Sequence, residues 1–386
     1  MDCKFPFILS EKSCITIYSI FDSVHLFVVI QGLNVPKNMG DWRSVLKDDS
    51  MGWLLERDNP SVRYFALSDI LEKPENDPEV TEAKREIMLT GVVPEILVKQ
   101  RNDGHWETPE SFYTAKYRGT VWQLIVLAEL GAEGKDERVR KACEFILENS
   151  QDRESGGFSG SKSESGGGLH DEVSPCLTGN MVWSLIRFGY LGDSRVQRGI
   201  EWIVAYQRFD DGIDEELKGW PYDRQGHPHC WGYTRTHSIH TCHMGVVKAL
   251  KALAEIPPNK RSKDVKNTIE KGAEYMLKHH VYKRSHDLSR ISNPSWLKFG
   301  FPLLWQTDVL EILLVLTKLG YRDERMQEAI DSVISKQDEN GRWKLESLPS
   351  PQGAFYRNFG TNLEQRGIQS KWITLNALMV LKGFYG

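Results

Sequence analysis

One short phrase is written four times in this chain, and a repeat constrains a fold more than any single residue does. The copies are Gln100-Arg-Asn-Asp-Gly-His-Trp106, Gln151-Asp-Arg-Glu-Ser-Gly-Gly-Phe158, Gln207-Arg-Phe-Asp-Asp-Gly212 and Gln337-Asp-Glu-Asn-Gly-Arg-Trp343. Each follows a stretch with helical periodicity, and each joins a Gln to a polar turn and a Gly. An opener precedes each unit: Asp77-Pro-Glu-Val80, Asp136-Glu-Arg-Val139, Asp193-Ser-Arg-Val196, Lys263-Asp-Val265 and Asp323-Glu-Arg-Met326. The opener's Asp is a helix N-cap residue, able to satisfy free backbone N–H groups. After Gly272-Ala-Glu-Tyr-Met-Leu277 the expected phrase is absent, and Lys278-His-His280 stands in its place.

Between these units runs a second set of helical segments: 61–71, 112–130, 177–190, 245–254, 303–319 and 373–384. Their apolar residues cover most of the circumference, as in Val121-Trp-Gln-Leu-Ile-Val-Leu-Ala128. A helix apolar nearly all round is buried, whereas a one-striped helix such as 136–149 lies outside. Six inner helices alternating with outer ones, and almost no strand signal, predict an all-α chain: an α/α toroid of the α6/α6 barrel type. It forms one domain over 39–386, with a long insert at 209–237. Residues 1–38 do not match the repeat and read as a poorly integrated extension or a mis-assigned start. The Gly/Ser stretch from Gly156 to Gly168 reads as a mobile loop.

The phrase resembles the QW motif of the terpenoid cyclase and protein prenyltransferase superfamily, over roughly residues 55–386. In that family the Gln and aromatic residues tie outer helices together, so the resemblance gives Gln100, Trp106, Gln151, Gln207, Gln337 and Trp343 a bracing role. It implies an isoprenoid or other hydrophobic small molecule held in a central hollow. The family's Asp-x-Asp-Asp acid and its Asp-Asp-x-x-Asp diphosphate motif are both missing, which favours prenyl or alkyl transfer over protonation-initiated cyclisation. The acidic cluster Asp210-Asp-Gly-Ile-Asp-Glu-Glu216 reads as a turn with a solvated acidic run.

Several inner segments open on polar groups: Lys116-Tyr-Arg118, Trp305-Gln-Thr-Asp308 and Ser370-Lys371-Trp372. Lys116, Arg118, Asp308 and Lys371 are therefore candidate catalytic residues at a cavity mouth, the bases suited to an anion such as diphosphate. The plain alternative pairs Lys116 and Arg118 with Asp308 and Glu311, or leaves them exposed. Trp122, Trp183, Trp305 and Trp372 are either cavity wall, where ring faces attract cations, or ordinary core. Five of the 11 histidines and two of the six cysteines fall between His227 and His243. Thiolate and imidazole suit zinc, and Cys176, Cys230, His240 and Cys242 are the candidate ligands, with His243 the alternative to His240. An iron–sulfur cluster is a further possibility without a ligand signature.

A formal net charge of −4 gives no electrostatic case for nucleic acid. The apolar run from Ile15 to Leu33 is broken by Asp22 and His25, which argues against a membrane span, and the protein reads as soluble and cytoplasmic. No protein partner is indicated. Two other functions fit the same pattern. One is a non-catalytic binding or scaffold toroid with a structural zinc. The other is a carbohydrate-active toroid using Asp171, Glu172, Asp308 and Glu311.

Overall fold

In a computed structural model, described for residues 41–209, 241–348 and 363–386, the repeated phrase is a set of hydrogen-bonded ties between helices. The outer helices are α2 (Pro78–Leu89), α5 (Glu137–Asn149), α7 (Ser194–Tyr206), α9 (Lys263–Lys278) and α11 (Gln327–Ser335). The inner helices are α1 (Pro60–Phe65), α4 (Thr120–Glu129), α6 (Pro175–Arg187), α8 (His243–Ala254), α10 (Val309–Lys318) and α12 (Lys371–Tyr385). A short α3 (Val92–Leu97) precedes the first phrase. After α9, where the expected phrase is absent, a hairpin of β1 (Lys283–Arg284) and β2 (Asp287–Ile291) takes its place.

Four of the five openers cap with their Asp: three cap outer helices directly, and Asp323 caps the short 3-10 turn Glu324–Met326 that leads into α11, whereas α9 is capped by Ser262, one residue before its opener. Asp77, Asp136, Asp193 and Asp323 accept from the backbone N–H groups of Glu79, Arg138, Arg195 and Arg325, at 2.8–2.9 Å. The phrase then reaches forward. Gln100 Nε2 donates to the carbonyl of Gly104 in its own turn and to that of Arg138 at the start of α5, at 2.9 and 2.8 Å. Gln151 Nε2 repeats this with Gly156 and with Arg195 of α7, at 2.8 and 2.7 Å. The phrase glycine is required twice over. Gly104 and Gly156 hold φ of +98° and +84°, and a Cβ on either would stand 2.5 or 2.8 Å from the carbonyl oxygen of Lys141 or Arg198.

The aromatic residue reaches back. Trp106 Nε1 donates to the Ile96 carbonyl of α3, and Trp343 Nε1 to the Val333 carbonyl of α11. Its backbone N–H fastens the inner layer: Trp106, Phe158 and Trp343 donate to the hydroxyls of Thr120, Thr178 and Thr374, at 2.9–3.1 Å. All three threonines are buried in inner helices.

The last phrase has no following outer helix, and the segment before α1 fills the role. Gln337 Oε1 accepts from Lys47 N, its carbonyl accepts from Lys47 Nζ at 2.6 Å, and Gly341 lies against the Asp48 carbonyl. The inner helices contact one another in the order α1, α12, α10, α8, α6, α4. Ser61 of α1 donates to the Leu130 carbonyl at the end of α4, at 2.7 Å. Helices α6 and α8 pack closest: a Cβ on Gly179 would fall 2.5 Å from the Lys248 backbone.

The stretch from Gly156 to Gly168 corrects the expectation of a mobile loop. It is bridged at Gln151–Phe158, Ser159–Val173 and Lys162–Gly168. Its glycines serve packing: a Cβ on Gly168 would lie 2.2 Å from the Ser150 carbonyl, and one on Gly157 2.4 Å from Val173. No helix among the described residues is long and apolar enough to cross a membrane.

The tie is testable by its removal. Gln151→Ala deletes two hydrogen bonds at a buried side chain. The expected cost is about 1–3 kcal/mol of stability, read as a lowered midpoint in urea unfolding.

Candidate functional site

All six inner helices contribute to a cavity of about 730 Å³, within the size range of small-molecule sites. Phe65 of α1, Glu129 of α4, Trp183 of α6, Lys251 of α8, Glu311 of α10 and Trp372 of α12 all line it. Except along α10 and α12, the lining comes from the C-terminal halves of these helices. Sequence reasoning placed the mouth at their N-terminal ends; the described cavity lies toward the other end.

The wall combines rings with paired charges. Phe301 stacks on Trp372 at 4.2 Å between centroids and 10° between planes, and Phe65 lies 6.2 Å from Trp372. Lys248 and Glu311 form an almost fully buried ion pair, with Nζ 2.7 Å from both carboxylate oxygens. Lys251 bridges Glu129 at 2.5 Å and Glu311 at 3.0 Å, and its ammonium stands 4.1 Å from the centroid of the Trp183 ring. Burial works to raise Glu311, but the two ammonium groups hold it below the ordinary carboxylate range. Trp183 Nε1 donates to Glu255, which also binds Lys318 at 2.6 Å. Sequence analysis missed Lys248, Lys251 and Glu129. The available signal was a charged residue inside a helix otherwise apolar all round, which must be paired to be buried.

Of the four candidate catalytic residues, Asp308 alone lines this cavity. It is the N-cap of α10, with Oδ1 accepting from Glu311 N and Oδ2 from Gly300 N, both at 2.8 Å. Burial pushes its carboxyl up to about 7, against the pull of those two N–H groups. Lys371 is buried in an ion pair with Glu56 at 2.7 Å and with Asp58. Arg118 is exposed and faces Glu107 at 3.4 Å. Lys116 holds its ammonium over the rings of Tyr113, Trp122 and Trp305, at 5.0–5.9 Å, and burial lowers its pKa. The four are not gathered into one site. Trp183 and Trp372 line the cavity, whereas Trp122 is core, donating to the Tyr113 carbonyl, and Trp305 donates to Tyr117 Oη.

Of the four candidate metal ligands, Cys230 and His240 lie outside the described residues. Cys176 sits in the first turn of α6 and Cys242 is the N-cap of α8, both half-buried. Those helix starts abut, since a Cβ on Gly245 would stand 2.9 Å from Pro175 and 3.5 Å from Cys242. His243 stacks on Trp296 at 4.3 Å. Among the described residues no cluster of three or more His, Cys, Asp or Glu could hold a metal. Asp171 and Glu172 form a short turn on the surface, away from the cavity.

No protein-family model matches the chain, and no curated protein matches it. Among solved structures it is similar to a variant of the type II terpene cyclase MstE from Scytonema in complex with geranylgeranyl dihydroxybenzoate. Identity is 15%, the TM-score 0.37, and the match covers 84% of this chain and 87% of that one. A second variant with the same ligand matches at 11% identity and a TM-score of 0.27, over 78% and 97% of the two chains.

Asp308 makes stability depend on pH in a defined direction. The folded chain keeps this proton up to about pH 7, whereas an unfolded Asp releases it at about 3.9. The folded state therefore binds more protons across that window, and stability falls as pH rises through it. Glu364, also pushed up to about 7 by desolvation, acts in the same direction. Asp308→Asn, which keeps a capping oxygen, should flatten the slope in denaturation measured from pH 4 to 7. At the ion pair, Lys248→Met takes the closer of Glu311's two cations and leaves it Lys251 alone; the cost should reach up to about 3–5 kcal/mol, whereas Lys248→Met with Glu311→Leu should cost far less.

Proposed function

We propose that the chain is a closed α/α toroid that handles an isoprenoid-type chain, as an enzyme of terpenoid cyclase or prenyltransferase type. The observation that carries this reading is the ring-walled cavity to which every inner helix contributes. Ligand sites combine an apolar wall with a few placed polar groups and a titratable residue of shifted pKa. Here Phe65, Trp183, Phe301 and Trp372 supply the wall, and Asp308 is the shifted group.

Asp308 is the residue to which we assign proton exchange with the bound molecule. A carboxyl near 7 is matched to general acid–base work on an oxygen or an activated C–H at neutral pH. It is a poor acid for an isolated alkene, which agrees with the missing Asp-x-Asp-Asp string. Glu129, Glu311 and Lys251 fix the polar side of the cavity, so that a chain lies along the rings and meets Asp308 at Gly300 and the start of α10.

A rim metal is a separate part of this proposal. Cys176 and Cys242, on abutting helix starts, would be two ligands, with Cys230 and His240 completing a four-ligand zinc set. Zinc held by four protein ligands is structural, and it would pin the 209–237 insert. Elemental analysis of the purified protein should then find about one zinc per chain, lost in Cys176→Ser and in Cys242→Ser. Equal, near-zero metal in all three removes this part.

For the main reading, the protein should copurify with, or take up, a polyprenyl lipid detectable by mass spectrometry after solvent extraction. Asp308→Asn should retain that lipid and lose any turnover of it, by about 100-fold or more. A protein that yields no lipid and takes up none contradicts the reading.

A further inference from the structure

Resting on the isoprenoid reading, we infer that the bound chain carries a hydroxyl or carbonyl oxygen and that Asn376 is the residue that recognises it. Asn376 lies on the cavity-facing stripe of α12 with Trp372, Leu375, Met379 and Gly383. Residues three and four apart share one face of a helix. The side chains beside it on that face, Trp372, Leu375 and Met379, are hydrophobic, so a polar amide stands in the middle of an apolar strip.

An Asn inside a helix needs a reason, because it is a weaker helix former than Leu or Ala and competes with the backbone for hydrogen bonds. Asn180, in the inner helix α6, has a structural one: it is buried, and its Nδ2 donates to the Leu304 carbonyl at 2.9 Å. Asn376 has none of that kind: its amide makes no hydrogen bond to another described residue, on its own helix or on a neighbour. It is half-buried and borders the cavity.

Other polar groups of the wall are already engaged. Lys251, Lys318 and Lys382 are bound to carboxylates. Trp183 Nε1 donates to Glu255, and Thr317 Oγ1 donates to the Leu313 carbonyl at 2.8 Å. A primary amide has two N–H donors and a carbonyl acceptor. A ligand hydroxyl answers both kinds of group, and a ligand carbonyl answers the donors. A chain lying along the rings displaces water from this amide. A pure hydrocarbon leaves the amide dry and unanswered, which is unfavourable, whereas an oxygen on the chain restores the bond.

The test measures displacement of labelled geranylgeraniol from the full-length protein by two competitors: unlabelled geranylgeraniol and the hydrocarbon with hydrogen in place of its hydroxyl. The readout is the ratio of their potencies, compared between wild type and Asn376→Leu, so that differences in solubility between the competitors cancel. Wild type should favour the alcohol about three- to tenfold more than Asn376→Leu does. Leucine is the stronger helix former, and Asn376→Ala gives the same reading if leucine fills the hollow. A ratio equal in wild type and both variants overturns this inference and leaves the isoprenoid reading standing. Wild-type protein that takes up neither compound overturns both.

Discussion

The interaction on which the structure depends is the pair of hydrogen bonds made by one Gln amide. A primary amide has two donors on one nitrogen. Gln100 and Gln151 spend one on the turn they belong to and one on the first turn of the next outer helix. That geometry needs a glycine where the turn meets the neighbouring backbone, and in the copies that end in Trp106 and Trp343 the indole N–H also reaches back to the preceding helix. In the Gln100 and Gln151 copies the tie fixes α5 and α7 to the turns that precede them. The threonines bonded to the same phrase carry this attachment to the inner layer.

Once the inner helices are ordered in this way, the chemistry of the hollow follows from desolvation. Charges brought inside must be paired, and Lys248, Lys251, Glu129 and Glu311 form one connected set joining α4, α8 and α10. Asp308 is the exception: it is buried with backbone partners and no cation bound to it, and so its proton is retained to near neutrality. The same charged groups hold α10 against α4 and α8.

The helical repeat, the outer caps and the bracing role of Gln100, Trp106, Gln151 and Trp343 were legible because each is local in sequence. Thr120, Thr178 and Thr374 were not, because their distance from the phrase varies from copy to copy. The stretch from Gly156 to Gly168 misled because composition cannot distinguish a glycine used for freedom from one used for close approach. The candidate bases were chosen for standing at inner-helix starts. Lys371 is instead buried against Glu56 and Asp58, and Arg118 is paired at the surface. The cavity's own charges were hidden inside apolar helices, where a lone Lys or Glu reads as an interruption until its partner on another helix is known.

The central claim is that the hollow between the inner helices holds an isoprenoid chain, and photoaffinity labelling measures it most directly. A geranylgeraniol analogue with a diazirine near its chain end, photolysed on the folded protein, should mark peptides carrying Leu314, Leu375 or Met379 of the cavity wall. Excess unlabelled alcohol should suppress that marking. Labelling confined to peptides that carry no residue of the cavity wall, or unaffected by competitor, would contradict the account.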